Sequence, residues 1–344
     1  MRQALLLGNP KTKRTLYLEK GAKDAGMPVG FWDWKDFKGP CLPPIWQGRE
    51  LFIKIDPPVW TSCCLEELDP LTRDYEEKLM ALERVGERES IVFLNTPRAI
   101  RQLLDKRSCK EKLRQQGIPA TECLAGSVDS ADRLLDMMER QGASQVFIKP
   151  VRGSGAAGIA AFRYQKRTGK RMLYTCGMED PVTGRLVNTK RLRCFTDRQQ
   201  VTALVDRLLK QDCIVERWYA KAQYQGYSYD LRAVVQDGQT DFMLARLSKG
   251  PITNLHLNNH PLKASELKLP PRVLEEIEEL CKKAAGCYGG LRSAGLDILL
   301  EKGSLRPRVI EMNSQGDLIY QDIFWENKIY RRQAEMMKEW LEGE

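Results

Sequence analysis

The feature that most restricts the fold is the alternation of short apolar runs with helical segments in the first 95 residues. Runs such as 4–7 and 51–55 are bounded by turn residues and are typical of short buried strands. Between such runs, charged and apolar residues interleave with helical spacing over 14–25 and 68–85. Alternating elements of this kind predict an open α/β sheet. Residues 1–95 are therefore expected to form a small N-terminal α/β domain.

The remainder of the chain is predicted to continue with alternating helices and strands and without internal repeats. These elements are expected at the following positions: helix 99–116, helix 129–141, strand 145–149, strand 159–164, helix 197–210, strand 213–219, strand 230–236, strand 241–247, helix 271–288, strand 294–300, strand 308–313 and helix 327–342. The stretch 163–193 is rich in lysine and arginine and predicts a basic hairpin or long loop. The last helix is amphipathic and is expected to cover the core as a lid.

Composition restricts the chemistry as well as the fold. The chain of 344 residues is 42% apolar and 29% charged, which excludes disorder, collagen and coiled coil for the chain as a whole. It contains only two histidines, His256 and His260, so a histidine-based triad or a multi-histidine metal site would have to come from one short stretch. A metal pair formed by these two histidines is the minor alternative. Catalysis is expected to depend on carboxylates, lysines, arginines and a bound cofactor.

Cysteine usage and hydropathy indicate the cellular compartment of the protein. The ten cysteines are scattered and none has the C-x-x-C spacing, which favours reduced thiols over disulfides or a zinc site. No window approaches the ~20 apolar residues of a membrane span. The chain is therefore expected to be soluble and cytoplasmic, with no membrane partner.

A glycine-rich loop follows the strand that ends at Lys149. The loop contains Gly153, Ser154, Gly155 and Gly158, and a second strand follows it. Backbone N–H groups of such a loop can converge on an anion, and the lysine adds a positive charge for a phosphate. A glycine-rich hairpin turn without a ligand explains the same residues equally well.

Three oxygen-bearing side chains coincide on the last predicted hairpin. Glu311 and Asn313 are two residues apart on one strand and share a face, and Asp297 lies on the neighbouring strand. Single carboxylates on a hairpin are usually solvated. Here the flanking residues are apolar, and two carboxylates with an amide oxygen suit Mg²⁺ that also binds nucleotide phosphates.

A third set combines Asp230 and Arg232 on one strand with Arg246 on its predicted partner. A purely structural ion pair is one interpretation of these residues. The alternative is that the guanidinium groups neutralise negative charge on a transferred phosphoryl group.

In this order, the three sets resemble the ATP-grasp superfamily, in particular the glutathione synthetases and the ribosomal-protein glutamate ligases. Further segments carry the resemblance: 55–58 (Ile-Asp-Pro-Pro), 95–100 (Asn-Thr-Pro-Arg-Ala-Ile), 105–106 (Asp-Lys), 117–121 (Gly-Ile-Pro-Ala-Thr), 215–219 (Val-Glu-Arg-Trp-Tyr) and 253–256 (Thr-Asn-Leu-His). The resemblance implies an ATP-grasp fold, in which two α+β subdomains at 96–215 and 216–344 clasp ATP. These subdomains follow the N-terminal α/β domain along the chain.

The resemblance also implies roles for individual residues. Lys106 and Lys149 would contact ATP phosphates under the glycine-rich loop, and the adenine would be held by Glu216, Arg217 and Tyr219. Asp230 would lie near the ribose, and the γ-phosphate would be contacted by Arg232, Arg246 and Asn254. One or two Mg²⁺ would be bound by Asp297, Glu311 and Asn313. The sequence departs from the family at Ala156, where glycine is common, and at 314–317, which lacks a common proline. The second segment helps to shape the acceptor site, so the resemblance leaves the substrates open.

The expected function is an ATP- and Mg²⁺-dependent carboxylate–amine ligase that forms an amide through an acyl phosphate, with small-molecule or peptide substrates. This chemistry requires no histidine base. One alternative is a kinase of similar fold that acts on a polyanionic alcohol such as an inositol phosphate, which the basic stretch would suit. Another is a nucleic-acid-associated protein with a vestigial nucleotide site, which a net charge of +9 supports only weakly. A homo-oligomer is left open.

Overall fold

The first sheet forms as the alternating pattern predicts. The computed structural model describes residues 1–153 and 155–343. Its N-terminal elements are β1 (Arg2–Gly8), α1 (Lys13–Asp24), β2 (Gly30–Asp33), β3 (Glu50–Ile55), α2 (Leu68–Gly86) and β4 (Ile91–Phe93). The four strands are parallel in the order β2-β1-β3-β4, which is the open α/β sheet expected from the sequence. Helix α2 packs its apolar face on this sheet.

The predicted helix 99–116 is wrong as a single element. The structure has two helices there, α3 (Pro97–Leu104) and α4 (Lys106–Gln115). Asp105 separates them with extended backbone angles, and its side chain caps α4 by accepting a hydrogen bond of 2.8 Å from the backbone N–H of Ser108. The interruption places Lys106 at the start of α4, where its backbone N–H donates to the carbonyl of Val151.

The second sheet is antiparallel and has six strands. The elements of this region are β5 (Cys123–Ala125), α5 (Ala131–Arg140), β6 (Gln145–Pro150), β7 (Ala160–Gln165), β8 (Lys170–Glu179), β9 (Leu186–Phe195), α6 (Arg198–Leu209) and β10 (Cys213–Arg217). Helices α5 and α6 contribute to its core. The basic stretch 163–193 forms the hairpin β8–β9, as predicted. Strand β10 crosses the predicted boundary between residues 215 and 216 and belongs to this sheet.

The third sheet carries the last predicted hairpin. Its elements are β11 (Gln223–Tyr224), β12 (Tyr227–Gln236), β13 (Gln239–Ser248), β14 (His260–Lys263), α7 (Pro271–Gly286), β15 (Ser293–Leu300) and β16 (Pro307–Asn313). The strands are antiparallel in the order β14-β13-β12-β15-β16, and β11 pairs with β12. Helix α7 packs on the apolar face, which leaves the opposite face of β12, β15 and β16 for polar side chains.

The C-terminal helix joins the first sheet to the third rather than covering one core as a lid. After the short helix α8 (Tyr320–Ile323), helix α9 (Lys328–Glu342) packs against α1 and β1 on one side and against β12 and β13 on the other. A Cβ atom on Gly21 would lie 2.9 Å from the carbonyl oxygen of Tyr330, so α1 and α9 meet at backbone distance. The side chain of Gln236 donates to the carbonyl of Ile329 at 3.2 Å and ties α9 to β12.

Two further expectations concern the chain as a whole. All ten cysteines are free thiols in the structure, as expected. Within residues 1–153 and 155–343, no helix has the length and apolar character needed to cross a membrane.

Candidate active site

A cleft of about 870 Å³ between the second and third sheets collects most of the predicted site residues. The predicted residues that line it are Lys106, Lys149, Gly153, Gly155, Glu216, Arg217, Tyr219, Asp230, Arg232, Arg246, Asn254, Asp297, Glu311 and Asn313. Gly158 does not line the cleft, and the predicted residue Ser154 lies outside the described residues. Residues separated by up to 207 positions, from Lys106 to Asn313, are thus brought to one site.

Glu216 is the buried acid at the floor of the cleft. Its Oε2 accepts hydrogen bonds from Lys149 Nζ at 2.8 Å and from Thr121 Oγ1 at 2.7 Å, and Lys110 Nζ lies 3.5 Å from Oε1. Burial raises the pKa of Glu216, but Lys110 and Lys149 outweigh burial and leave the pKa below its ordinary value. The carboxylate therefore stays ionised. Lys110 approaches Oε1 as an ion-pair partner, but none of the described residues donates a hydrogen bond to this oxygen, so one acceptor remains for a ligand N–H.

Sequence reasoning missed Lys110 and Thr121. Lys110 is buried one helical turn after Lys106 on α4, and burial lowers its pKa. The buried positions of α4 are Lys106, Cys109, Lys110 and Leu113, a helical face that includes two lysines. That unusual composition is a signal that the sequence does contain. Thr121 ends the segment 117–121, where only its location beside the cleft reveals its role.

The glycine-rich loop connects β6 to β7 and forms the rim of the cleft. Since β6 and β7 pair antiparallel, the loop is also a hairpin connection. Gly155 has φ +66°, and Ala156 has the same left-handed value without being glycine. A Cβ on Gly158 would lie 2.7 Å from Pro150 Cγ, so this glycine closes the loop against its own strand. Lys106 Nζ donates to the carbonyl of Gly153 at 2.6 Å and holds the other end.

The polar face of the third sheet carries two rows of opposite charges. In the first row, Asp230 on β12 lies opposite Arg246 on β13, and Arg246 Nε is 2.7 Å from Asp230 Oδ1. In the second row, Arg232 on β12 lies opposite Asp297 on β15, which lies opposite Glu311 on β16. Arg246 Nη2 joins the rows by approaching Asp297 Oδ2 at 3.0 Å. The structural ion pair and the site interpretation of these residues are therefore compatible.

Charge pairing determines the protonation of these groups. Burial raises the pKa of Asp230, but Arg246 and Lys221 more than offset burial and hold the pKa well below its usual range. For Asp297, burial is likewise outweighed by Arg232 and Arg246, so its pKa is lowered. Burial lowers the pKa of Arg246, while the two aspartates raise it further than burial lowers it. All three groups are charged near neutral pH.

Lys221 and Thr253 complete the surroundings of Asp230 and were missed by sequence reasoning. Lys221 Nζ lies 3.3 Å from Asp230 Oδ2 and donates to Thr253 Oγ1 at 2.8 Å, and Thr253 in turn donates to Asp230. Burial lowers the pKa of Lys221. Lys221 comes from the connection before β11, where the sequence shows no periodic pattern that could indicate an inward side chain. The neighbouring Asn254 lines the cleft and accepts a hydrogen bond from the backbone of His256.

The predicted metal set has suitable chemistry. The β15–β16 register places Asp297 opposite Glu311 and Gly295 opposite Asn313, so the three oxygen-bearing side chains share one face and line the cleft. Asp297 is ionised, and carboxylate and amide oxygens are the ligands that Mg²⁺ prefers. The described residues contain no group of three or more histidine, cysteine and acidic side chains placed to hold a metal. Magnesium here would thus depend on two carboxylates and an amide.

Two of the three predicted adenine contacts, Arg217 at the end of β10 and Tyr219 just after it, are partly committed to protein partners. The backbone N–H of Arg217 donates to the carbonyl of Glu122 at 2.9 Å, and its side chain pairs with the Glu122 carboxylate at 2.6 Å. The ring of Tyr219 lies 4.7 Å from the Arg308 guanidinium. Both residues still line the cleft.

The two histidines have different surroundings. His256 lies in the turn 255–257 beside the cleft, and His260 begins β14, where its ring meets Tyr227 edge-on. Burial lowers the pKa of His256, and Lys190 and Arg232 lower it further.

Two further chambers open from the cleft, and the three spaces meet at Asn313. The second chamber, about 850 Å³, shares Arg232, Arg246 and Asn254 with the cleft and extends to Arg14 and Tyr320. The third chamber, about 630 Å³, shares Lys106 and Glu311 with the cleft and extends below the first sheet. Its wall combines the apolar side chains of Pro57, Trp60, Leu103 and Leu104 with polar ones, among them Arg14, which also lines the second chamber. Asn313 lines all three spaces.

A lysine from each of two elements, a glycine-rich loop and an acidic pair on the facing sheet line this one cleft, which is the arrangement expected of an ATP-grasp protein. A family profile described as YheC/D-like ATP-grasp matches residues 96–338, and the chain belongs to this family.

Comparison with solved structures confirms the fold. The chain is similar to the ATP-grasp ligase PsnB complexed with a minimal precursor, Mg and ADP, with 15% identity, a TM-score of 0.59 and coverage of 97% of each chain. It is similar to the D-cycloserine synthetase DcsG, with 15% identity and a TM-score of 0.59 over 97% of this chain and 99% of that one. It also resembles the macrocyclase MdnC, bound with the precursor peptide MdnA from Microcystis aeruginosa MRC, with 12% identity and a TM-score of 0.60 over 98% and 99% of the two chains. No curated protein matches the sequence.

Proposed function

We propose that the protein is an ATP- and Mg²⁺-dependent carboxylate–amine ligase that forms an amide or peptide bond through an acyl phosphate. The observation that carries this proposal is the meeting of three spaces at Asn313. A ligase of this class brings together a nucleotide, a carboxylate and an amine. The cleft fits the nucleotide, and the two chambers provide separate approaches to its phosphate end for the two other substrates.

ATP and Mg²⁺ are the cofactors. We assign the phosphates to Lys106, Lys149 and the loop residues Gly153 and Gly155. We assign the adenine to Glu216, Arg217 and Tyr219, where the Glu216 Oε1 acceptor can receive the adenine amino group. Mg²⁺, held by Asp297, Glu311 and Asn313, would draw charge from the phosphate oxygens. Ser154 was expected in the phosphate loop and keeps that role as a prediction.

The chemistry follows from these positions. An oxygen of the substrate carboxylate attacks the γ-phosphorus, the bond to the β-phosphate oxygen breaks, and ADP leaves. The amine then attacks the acyl carbon, phosphate leaves, and the amine gives up a proton. Arg232 and Arg246 are fixed by Asp297 and Asp230, so they present positive charge to the transferred phosphoryl group without having to reorganise.

The similar solved structures support both kinds of substrate named in the proposal. PsnB and MdnC were solved with precursor peptides, whereas DcsG is a D-cycloserine synthetase. A peptide and a small molecule are both compatible with chambers that open to solvent.

The basic hairpin β8–β9 gives little support to the kinase or nucleic-acid alternatives. Lys166, just before it, pairs with Glu139 at 2.9 Å, and Arg185 pairs with Glu67 at 2.7 Å. Inside the hairpin, Arg193 donates to Thr189 at 2.8 Å. Arg185 and Arg193 are therefore engaged within the protein, while Lys190 lies close enough to His256 of the second chamber to lower its pKa.

The test is trapping of the acyl phosphate. The protein is incubated with Mg-ATP, hydroxylamine and a panel of carboxylates, and hydroxamate and ADP are measured together. We expect equal amounts of both products, dependent on the carboxylate, and about a 100-fold loss or more in Arg232→Gln. Arg272→Gln is the matched control, because it makes the same substitution at an arginine of α7 that pairs with Glu276 at 2.9 Å and lines none of the three spaces. A phosphorylated alcohol, or ADP formation unaffected by carboxylates, would contradict the ligase assignment.

A further inference from the structure

The second chamber has an unusual charge distribution. Three arginines line it, namely Arg14, Arg232 and Arg246, and none of the described residues in its wall is acidic. The fourth titratable group, His256, has a lowered pKa and is neutral near pH 7. A cationic chamber without acids in its wall favours an anionic occupant.

Among the three arginines of this chamber, Arg14 is the one to which neither the sequence patterns nor the family resemblance gave a role. It comes from helix α1 of the first sheet, far from the other site residues in sequence. Its Nη1 pairs with Asp317, and its Nη2 donates to the carbonyl of Gln315 at 2.9 Å. Lys54 Nζ binds the other oxygen of Asp317 at 3.1 Å, and Asp56 balances Lys54. The guanidinium is therefore held in one orientation.

In the cluster formed by Arg14, Lys54, Asp56 and Asp317, the cation Arg14 is the most exposed member. The side chain of Arg14 is 19% exposed, whereas those of Asp317, Lys54 and Asp56 are 5%, 3% and 2% exposed. The buried carboxylates thus orient Arg14 from the protein interior, and the accessible part of the cluster carries positive charge. Such a preorganised guanidinium is suited to a carboxylate, which it can bind with two parallel hydrogen bonds.

Arg14 and Arg232 meet on the same turn. Arg14 donates to the carbonyl of Gln315, and Arg232 Nη1 donates to the carbonyl of Gly316 at 3.4 Å. Adjacent residues have Cα atoms about 3.8 Å apart, so the two guanidinium groups rest on neighbouring carbonyls. The turn cannot shift easily, because a Cβ on Gly316 would lie 2.6 Å from the Cα of Gly295 on β15. Both guanidinium groups are therefore anchored on the turn 315–316 and line the same chamber, and Arg232 also lines the cleft.

We propose that the second chamber binds the carboxylate substrate and that this substrate is a short dicarboxylate, or a residue carrying one, whose second carboxylate is held by Arg14. This inference rests on the proposed ligase function and specifies its substrate class. Arg232 faces the carboxylate that is activated. Arg14 is a specificity-determining residue that accepts only substrates with a second negative group a short distance away.

The test measures binding, so it does not depend on turnover. Malonate, succinate and glutarate are titrated calorimetrically into the protein saturated with Mg-ADP, in parallel with the monocarboxylates propionate, butyrate and valerate. We expect at least one dicarboxylate to bind about tenfold or more tightly than the monocarboxylate of matching length, which corresponds to about 1.4 kcal/mol. Equal affinities for the two series would overturn the proposal.

Variants identify the residue responsible. Arg14→Gln is expected to reduce dicarboxylate affinity about tenfold while leaving Mg-ADP and monocarboxylate binding unchanged. Lys13→Gln is the matched control, because this neighbouring cation contacts the Tyr320 hydroxyl but does not line the chamber. If Arg14→Gln does not fold, Arg14→Lys keeps the ion pair with Asp317 but loses the guanidinium fork, and it should show the same selective loss. Dicarboxylate preference that survives both substitutions would exclude Arg14 as its source.

The two proposals fail in different ways. Dicarboxylate binding that depends on Arg14, without hydroxamate formation from any carboxylate, would remove the ligase function and keep the anion site. Hydroxamate formation from monocarboxylates without a dicarboxylate preference would keep the ligase and remove this inference.

Discussion

Asp297 has two tasks at the same position. Its carboxylate fixes Arg232 and Arg246, and it is also one of three oxygen-bearing side chains assigned to Mg²⁺. Among the described residues, Glu311, by contrast, forms an ion pair only with Lys106, at 3.4 Å, and its side chain is 20% exposed. The two acids can therefore be distinguished by what their removal does to the protein besides metal binding.

Replacement of each acid by its amide should separate these tasks. Glu311→Gln is expected to raise the Mg²⁺ concentration needed for half-maximal ATP turnover and to lower turnover about 100-fold, with little change in stability. Asp297→Asn should do the same and also destabilise the fold, because it leaves the half-buried Arg232 with a neutral partner and removes one of the two carboxylates that pair with buried Arg246. Magnesium titrations of activity and urea unfolding measure the two effects. Full activity of Glu311→Gln at low Mg²⁺ would refute the metal assignment.

The buried aspartates also predict how stability depends on pH. The pKa of Asp230 is lowered in the folded protein, so its contribution to stability is present above its unfolded pKa and is lost as the pH falls. Burial raises the pKa of Asp241, so its contribution has the opposite sign, and stability is gained as that group is protonated.

Comparison of two amide variants tests this sign. Between about pH 5 and pH 3, the unfolding free energy of Asp230→Asn should fall less than that of the wild type. That of Asp241→Asn should fall more steeply, because the compensating protonation is removed. Urea unfolding at several pH values gives both slopes. The same slope in both variants would show that neither group titrates as the structure indicates.

At the residue scale, the sequence predicted side chains that local periodicity places together. Glu311 and Asn313 alternate on a strand, and Asp297 lies across a short hairpin, so their common face follows from a period of two. Arg14 and Asp317 are 303 residues apart, and no local pattern links them. Contacts of this kind depend on how the sheets pack and could not be predicted from the sequence.

At the scale of elements, the break at Asp105 determines where Lys106 points. In a continuous helix, the direction of the Lys106 side chain would be set by the turns that precede it. Because a new helix begins at this position, Lys106 lies in the first turn of α4 instead. The sequence contains the signal, because aspartate is a preferred N-cap residue and its side chain can accept from the backbone N–H three positions later. Apolar periodicity on both sides of the break obscured this signal and led to the prediction of one helix.

Two substitutions at this cap separate its effects. Asp105→Ala removes the acceptor for the Ser108 N–H and should lower the unfolding free energy by about 1 kcal/mol. It should also raise the KM for ATP, because the first turn of α4, which carries Lys106, is held less firmly. Asp105→Asn keeps a capping side chain and should preserve stability and most of the affinity for ATP. Urea unfolding and steady-state kinetics measure the two quantities, and equal behaviour of the two variants would contradict the role of the cap.

At the scale of the whole molecule, the N-terminal sheet is joined to the rest of the protein by buried contacts. Tyr330 on α9 is fully buried against α1, and Asp317 receives Lys54 from β3 and Arg14 from α1. The sequence predicted the N-terminal sheet and the two regions that follow. It did not predict that helix α9 returns to the first sheet, because an amphipathic helix does not specify which surface it will cover.

This arrangement predicts one cooperative unfolding transition for the chain. Trp32, Trp34, Trp46 and Trp60 pack in or against the core of the first sheet, and Trp340 of α9 packs on Phe52. In a background that carries Trp218→Phe and Trp325→Phe, tryptophan fluorescence therefore follows that sheet and the helix seated on it, whereas far-UV circular dichroism follows all three sheets. If α9 couples the regions, both signals should change at the same urea concentration in the wild type. Gly21→Ala should lower the unfolding free energy by about 1–3 kcal/mol, because the new methyl group would lie 2.9 Å from the Tyr330 carbonyl oxygen. Its fluorescence transition should then precede the circular dichroism transition.

Gly286→Ala is the matched control. Gly286 lies at the end of α7 with open space around it, so the alanine should gain helix propensity without loss of coupling. Separate transitions in the wild type, or an unchanged midpoint in Gly21→Ala, would show that α9 does not join the N-terminal sheet to the rest of the fold.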